Sequence, residues 1–283
     1  MKEADIIART HKAFGRPISR DHLCRDLDAL GLRAGDVLLV HSSLSAVGWV
    51  SGGAETLVGA LRDVLGSRGT LVMPTHSGHL SDPAAWEHPP VPEPWIEVIR
   101  DTMPAFDPRI TGTRGIGAVP EFFRRLPGVR RSKHPMDSFA AAGPKARCIL
   151  RNHALAEGLG EHSPLARIYD LDGRVLLLGC GHGNNTSLHL AEHRADWPGK
   201  TNIPQGSPLR YRRRRVWRRY EELDYDDGDF PVCGAEFDRT AGPAGDLNTG
   251  AVGLAESRLM SQRALVDFAA AWFSANRGTG GAA

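Results

Sequence analysis

Two side chains three positions apart, His189 and Glu192, carry the chemistry that the sequence suggests most strongly. They lie in a segment with helical character, TSLHLAE at 186–192, so both project from the same face of the helix. An imidazole that donates one ring N–H to a carboxylate keeps a fixed tautomer and accepts a proton on its other nitrogen. We therefore predict that His189 is a general base and that Glu192 orients and charges it.

The elements that must position this pair are readable in the same stretch, VLLLGCGHGNNTSLHLAE at 175–192. Four apolar residues at 175–178 suit a core strand, because they are too few for an independent helix. The three glycines that follow suit a tight strand-to-helix turn. The run Asn-Asn-Thr before the helix offers side-chain oxygens as N-caps. A strand, a glycine turn and a capped helix are therefore predicted here.

The rest of the chain alternates strands and helices. A strand at 37–40, a helix at 54–65 and a strand at 70–73 have the spacing of a βαβ unit, which predicts an α/β protein with a mixed, partly parallel sheet. A long amphipathic helix is predicted at 255–273, with Leu259 on its inner face. The arginines at 212–215 are interpreted as the solvated face of a β-hairpin. Further helices are predicted at 18–31, 95–103, 116–126, 144–151, 163–169 and 234–241.

Composition limits the classes of function. The 283 residues are 41% hydrophobic and 24% charged, as in ordinary soluble enzymes. A net charge of +2 gives no electrostatic case for nucleic acid or membrane partners. No run approaches the ~18 apolar residues of a membrane span, and the first residues lack an apolar signal core, so we expect a cytoplasmic protein. The four cysteines form no CxxC, which argues against disulfides or cysteine-bound zinc.

We expect a monomer or homodimer built from one domain at 1–275, followed by a disordered tail at 276–283. No internal repeat and no linker divides the chain.

Other interpretations of the central segment stay open at this point. The strand and glycine turn resemble the first motif of S-adenosylmethionine-dependent methyltransferases, but no second strand ending in an acidic residue follows Glu192. His189 and His193 have the spacing of zinc ligands, although Leu190 stands where a HExxH motif has Glu. No GxSxG motif supports a serine hydrolase. A binding protein without catalysis would be indicated if replacement of His189 left all measurable chemistry intact.

Four segments in order carry a family resemblance: VHSSLSAVGWVSGG at 40–53, GTLVMPTHS at 69–77, FDPRITGTRGIGAVPEFFRRLPGVRRSKHPMDSFAAAGP at 106–144 and LLLGCGHGNNTSLHLAEHRADWPGK at 176–200. Over roughly 15–275, the chain resembles the aminoglycoside 3-N-acetyltransferases. The resemblance implies a three-layer α/β/α fold unlike that of the GNAT acetyltransferases. It also implies acetyl-CoA as the donor and a catalytic His/Glu pair, present here as His189 and Glu192.

Acetyl transfer suits these residues. A neutral amine must attack a thioester, and a base with a pKa near ~6.5 accepts the proton that the amine loses. The amine takes the place that serine has in a hydrolytic triad, so no covalent enzyme intermediate is needed. The oxyanion that forms needs hydrogen-bond donors, and Thr186 is the side-chain candidate.

The coenzyme is expected on the N-terminal βαβ unit. Ser42, Ser43 and Leu44 lie where a strand meets a loop, and N–H groups and hydroxyls there suit a pyrophosphate. Val47 would flank the coenzyme chain. By resemblance alone, the further contacts are Thr113, His134, Ser138 and Phe139.

The acceptor is expected to be a polycation, because acidic residues are concentrated at 221–229. Glu222 and Asp224 are predicted to bind it through charge-assisted hydrogen bonds. The resemblance implies acetylation at the 3-amino group of deoxystreptamine, which confers resistance, with no metal cofactor. A different amine in a biosynthetic pathway is the alternative acceptor.

Overall fold

The computed structural model describes residues 2–278, which form a seven-stranded mixed sheet with helices on both faces and a separate two-stranded hairpin. The strands are β1 Val37–Ser42, β2 Thr70–Pro74, β3 Arg130–Arg131, β4 Phe139–Ala142, β5 Arg174–Leu178, β6 Asn202–Tyr211, β7 Arg214–Leu223, β8 Leu247–Val252 and β9 Ala255–Ser261. The α-helices are α1 Glu3–Phe14, α2 Arg20–Leu30, α3 Leu44–Val47, α4 Gly53–Leu65, α5 Trp95–Thr102, α6 Ala118–Phe123, α7 Ala146–Leu150, α8 Pro164–Asp170, α9 Ser187–Arg194, α10 Phe230–Ala244 and α11 Gln262–Asn276. Short 3₁₀ turns occur at Gly78–Leu80, Pro83–Ala85 and His182–Asn184.

The order of the strands in the sheet is β3-β4-β2-β1-β5-β9-β8. Strands β2, β1 and β5 are parallel, and the others are antiparallel to their neighbours. The predicted βαβ unit is confirmed as β1, α4 and β2. Because β2 lies on one side of β1 and β5 on the other, a crevice opens outside their carboxyl ends, where open α/β sheets bind ligands.

Side chains of the parallel strands alternate between two hydrophobic cores. Leu38 and Leu176 face the core that includes α2 and α4, whereas Leu39 and Leu177 face the core that includes α8, α9 and α11. Each fully buried leucine contributes about 1.5–3 kcal/mol through removal of apolar surface from water. The three-layer α/β/α arrangement is therefore confirmed, and the parallel strands are buried on both faces, as expected.

One predicted helix is wrong in its first part. Residues Ala255–Ser261 form β9, which pairs with β5 and β8, and α11 begins only at Gln262 with Ser261 as its cap. The segment alternates buried and exposed side chains, which suits a strand. Leu259 fits both periods, because it lies inward on the strand and also at helical spacing from the apolar residues of α11.

The first residues of the predicted disordered tail, 276–278, lie in the described part of the chain. Asn276 is the last residue of α11, and Arg277 is buried and ion-paired. Residues 279–283 lie outside the described part of the chain. Across residues 2–278, no helix combines the length and the apolar character needed to cross a bilayer.

The predicted hairpin is confirmed as β6 and β7, which lie outside the central sheet. Its tip is formed by Arg212 and Arg213, whose φ angles are 45° and 67°. Two-residue hairpin turns favour positive φ because it matches the twist of the strands, but non-glycine residues pay for it in steric strain.

Replacement of Arg213 by Gly should relieve this strain. We expect Arg213→Gly to raise the free energy of unfolding by about 0.5–1 kcal/mol, measured by urea denaturation. Arg214→Gly, at the first residue of β7, is the matched control and should lower it by a similar amount. An Arg213→Gly variant less stable than the wild type would contradict the left-handed turn.

Candidate active site

The main cavity opens at the carboxyl ends of the parallel strands and has a volume of about 710 Å³. Strand β1 contributes His41 and Ser42, and the segment after β2 contributes His76. The N-terminal turn of α9 contributes Thr186 and His189. These side chains come from three separate stretches of sequence, and the convergence of β1, β2 and β5 brings them together.

The predicted His189–Glu192 pair is in direct contact. The His189 Nδ1 lies 2.5 Å from Glu192 Oε2, so the ring donates its Nδ1–H to the carboxylate and leaves Nε2 for a substrate. Glu192 is fully buried, whereas the His189 side chain is 15% exposed and lines the cavity. The rings of Tyr225 and Phe230 pack against the imidazole, with centroids 4.7 and 4.8 Å away. The imidazole of His189 is therefore held in one orientation.

The second oxygen of Glu192 is also occupied. Oε1 accepts a 2.6 Å hydrogen bond from Arg277 Nη1 and a 3.0 Å bond from the backbone N–H of Asp226. A buried charge needs such partners, because desolvation otherwise favours its neutral form. Sequence reasoning missed Arg277, which lies 85 residues from Glu192 in the chain.

Gly179 follows β5 and forms part of the cavity wall. It is the one glycine of the turn with positive φ, at 68°. A Cβ atom at this position would lie 2.6 Å from the Ala46 side chain and 3.1 Å from that of Ala255. Only glycine therefore allows the turn after β5 to pass so close to α3.

Thr186 does not cap α9 with its side chain. Thr186 stands at the N-cap position without a side-chain cap bond, and Asn185 Oδ1 accepts a hydrogen bond from the Ser187 N–H instead. The Thr186 hydroxyl instead lies 3.2 Å from His41 Nε2 and lines the cavity. The Thr186 hydroxyl therefore does not take part in capping the helix, and it lies on the same helical turn as His189.

Two further imidazoles at the cavity were not predicted. Burial, with a smaller contribution from the nearby His189, lowers the pKa of His41 to about 3 and the pKa of His76 to about 4. Within residues 2–278, neither ring nitrogen of His76 has a hydrogen-bond partner, although Nδ1 lies 3.9 Å from Asp137 Oδ1. Both rings are neutral at pH 7, so they add no positive charge to the cavity. Their positions directly after buried strands were a signal that could have identified them.

A model of the aminoglycoside 3-N-acetyltransferase family matches residues 39–274. The YokD protein of Bacillus subtilis (strain 168), described as aminoglycoside N(3')-acetyltransferase-like, is 44% identical over 92% of this chain and 94% of its own. Aminoglycoside N(3)-acetyltransferase VII of Streptomyces paromomycinus is 40% identical over 98% of this chain and 100% of its own. The chain belongs to the aminoglycoside 3-N-acetyltransferase family.

Solved structures agree with this family. The crystal structure of the Bacillus subtilis YokD protein has a TM-score of 0.90 at 41% identity, covering 98% of this chain and 99% of its own. AAC-IIIb in a binary complex with CoASH and AAC-VIa bound to sisomicin each have a TM-score of 0.81 at 33% identity, covering 94% of this chain and 100% of theirs. The expected fold, distinct from GNAT, is thus confirmed, and the methyltransferase interpretation is set aside.

The residues predicted to bind coenzyme divide into two groups. Ser42, Ser43 and Leu44 line the cavity, and the buried Ser42 Oγ has no hydrogen-bond partner within residues 2–278. Val47 lies beneath them in the core and does not line the cavity.

The other four residues that were predicted to bind coenzyme do not line this cavity. Thr113 donates to Glu121 through both its N–H and its hydroxyl. His134 is buried, with both ring nitrogens bonded to backbone groups. The Ser138 hydroxyl donates to a backbone carbonyl and Phe139 belongs to the core, where its ring lies edge-on to that of His76. Strand β4 and its approach therefore support the wall behind His76.

The two residues predicted to bind the acceptor lie apart. Glu222 is 3% exposed, and burial together with the neighbouring Asp137 raises its pKa to about 9. Its Oε1 has no hydrogen-bond partner within residues 2–278. Asp224 follows the end of β7, and it is exposed at a different surface pocket that Lys200 also lines.

The histidines considered as metal ligands have other partners. His193 Nε2 lies 3.0 Å from the Tyr225 hydroxyl, whereas His189 Nδ1 is bonded to Glu192. Within residues 2–278, His134, Asp137 and Glu222 are close enough to share an ion, but His134 Nδ1 already accepts the Asp137 N–H.

The buried neutral imidazoles predict a dependence of stability on pH. An unfolded histidine binds a proton near pH 6.5, whereas folded His41 does so only near pH 3, so stability is complete above pH 6.5 and is lost as the pH falls. Between pH 7 and pH 5, the His41→Gln variant should lose about 2 kcal/mol less free energy of unfolding than the wild type.

Urea denaturation at pH 7, 6 and 5 measures this difference. His11→Gln is the control, because His11 is exposed on α1, and it should follow the wild-type slope. A His41→Gln variant with the wild-type slope would show that His41 is not buried in the neutral form.

Proposed function

We propose that this chain transfers the acetyl group of acetyl-CoA to an aminoglycoside, at the 3-amino group of the deoxystreptamine ring. The observation that carries this proposal is the His189–Glu192 contact at the wall of a cavity formed by the carboxyl ends of β1 and β5. Relatives solved with CoASH and with sisomicin support the two substrates. Their similarity extends over most of this chain.

The transfer is direct in this mechanism. The amine lone pair attacks the thioester carbonyl carbon while His189 Nε2 takes a proton from the amine nitrogen. The resulting imidazolium is stabilised by Glu192, which accepts the hydrogen bond from Nδ1. Collapse of the tetrahedral intermediate breaks the C–S bond, and the departing thiolate takes the proton from Nε2. The amide and free coenzyme A leave, and the base is neutral again.

The oxyanion of the tetrahedral intermediate is stabilised by Thr186 in this proposal. The hydroxyl lies on the same helical turn as the base and lines the same cavity. If His41 donates its Nε2–H to the Thr186 oxygen, the hydroxyl hydrogen is directed to the oxyanion. The low pKa of His41 keeps this ring neutral, so it orients the hydroxyl without a charge.

The donor lies on the β1 side of the cavity in this proposal. Ser42 and Ser43 offer hydroxyls there, and the unpartnered Ser42 Oγ supports a polar ligand at this edge. The acceptor lies opposite, where Asp227 lines the cavity and where Asp137 lies behind His76. The carboxylates of these two residues would favour an acceptor with several ammonium groups.

Acetylation removes a positive charge and changes a hydrogen-bond donor on the antibiotic. Aminoglycosides depend on both features when they bind the ribosome, so the proposed product is inactive and the enzyme confers resistance. An amine from a biosynthetic pathway is the second candidate acceptor, because the transfer itself requires only a neutral amine within reach of His189 Nε2.

Thiol release from acetyl-CoA across a panel of aminoglycosides tests the proposal. We expect turnover with gentamicin-like or sisomicin-like acceptors, and a loss of about two or more orders of magnitude in kcat for His189→Ala, because a general base contributes this much. His162→Ala, at an exposed position, is the control and should keep wild-type turnover. Undiminished turnover in His189→Ala would remove this residue from the mechanism.

The proposed oxyanion role of Thr186 makes a separate prediction. Thr186→Val should lower kcat by about 10²–10³-fold with little change in KM for acetyl-CoA, because the lost donor acts in the transition state. Thr186→Ser keeps the hydroxyl and should retain most of the activity. Equal effects of the two substitutions on steady-state rates would argue against a hydroxyl donor here.

A further inference from the structure

The contacts of Glu192 join the catalytic pair to the far end of the chain. One oxygen of this fully buried carboxylate holds His189, and the other accepts from Arg277 and from the Asp226 N–H. Removal of the cation would leave a buried carboxylate with one backbone donor and a neutral imidazole. Such a group takes up a proton more readily, because burial disfavours its charged form.

Arg277 is itself fixed on all sides. Its Nε and Nη2 donate to the two carboxylate oxygens of Asp229 at 2.8 and 2.6 Å, and Nη2 also donates to the Asp226 carbonyl. The guanidinium lies 4.0 Å from the centroid of the Phe273 ring, on the preceding turn of α11. Burial opposes its charge, but the bonds to Asp229 and Glu192 outweigh burial and raise the pKa of Arg277.

We propose that Arg277 is a positioning residue for the base and that it acts through Glu192. Its charge keeps the carboxylate ionised, and its planar fork fixes the carboxylate so that Oε2 points to His189. The proposal rests on the acetyl transfer proposed above. It extends the His189–Glu192 pair into a row of four charged or titratable groups that ends at Asp229.

A purely structural role is the competing explanation. Arg277 also ties the end of α11 to the loop before α10 through Asp229 and Asp226, and loss of that tie would lower stability without a specific effect on the base. The two explanations differ in their effect on the pH profile and in their dependence on the charge of Glu192.

Steady-state kinetics of Arg277→Met and Arg277→Lys separate them. If Arg277 positions the base, Arg277→Met lowers kcat about 10- to 100-fold, the span for residues that orient a reacting group. KM for both substrates stays within about twofold, and the acid limb of the kcat profile moves to higher pH. Arg277→Lys restores the charge without the fork and should recover part of the rate. Arg263→Met, on the same helix and paired with Asp172, is the control and should match the wild type.

A double-mutant cycle distinguishes the loss of positioning from a general loss of stability. In a Glu192→Gln background there is no carboxylate to keep ionised, so Arg277→Met should change kcat by less than about twofold. An equal loss in both backgrounds, or a wild-type rate and pH profile for Arg277→Met, would overturn the proposal. If Arg277→Met does not fold, the Arg277→Lys variant and its cycle with Glu192→Gln provide the same comparison.

A measurement without substrates keeps this inference separate from the proposed function. The His189 imidazole can be followed by NMR in protein labelled with ¹⁵N-histidine and assigned by the signal lost in His189→Gln. The Nδ1–H proton of His189, which the hydrogen bond to Glu192 shifts downfield, should move upfield or be lost in Arg277→Met. An unchanged Nδ1–H signal would overturn the positioning role. A wild-type protein that releases no thiol would instead overturn the acetyl-transfer proposal and leave this test intact.

Discussion

A buried carboxylate can hold an imidazole only if its charge is balanced on both oxygens, and Glu192 meets this condition. The side chain is fully removed from water, so its two oxygens need fixed partners in place of solvent. Residues from α9, from the loop after β7 and from the end of α11 supply them. The position of His189 Nε2 is therefore set by the packing of distant parts of the chain and not by the local helix alone.

The sheet determines where this arrangement lies. Strand β1 has a parallel neighbour on each side, and the segments that leave the three carboxyl ends have to diverge. His41 lies near the end of β1, His76 follows β2, and the turn after β5 leads into α9. Polar groups are thus brought together above an apolar sheet, in a cavity where burial keeps His41 and His76 uncharged.

Much of the fold and the His189–Glu192 contact could be predicted, because the sequence patterns that determine them are local. The βαβ unit follows from apolar runs and helix caps, and the His189–Glu192 contact follows from a spacing of three on a helix. Strand β9 was predicted as helix because Leu259 satisfies both periods over a segment too short to separate them. The contact between Glu192 and Arg277 has no local signal, since it depends on where the last helix ends.

The resemblance to a family predicted the fold, whereas the residues predicted to bind coenzyme occupy two different kinds of position. Ser42, Ser43 and Leu44 line the cavity, whereas His134, Ser138 and Phe139 support its wall from behind. A motif marks residues that a site requires. It does not separate the residues that contact a ligand from the residues that support those contacts from behind. That distinction depends on the direction of each side chain from its strand.

Gly179 limits how the sequence of one wall of the cavity can change in evolution. Its neighbours Ala46 and Ala255 leave no space for even one methyl group, so substitution of Gly179 by any other residue causes a steric clash. Asp227, which lines the cavity from the loop after β7, is exposed, so substitution there is less restricted. Under the proposed function, new acceptor preferences should therefore arise by changes in this loop, while the turn that leads to His189 stays as it is.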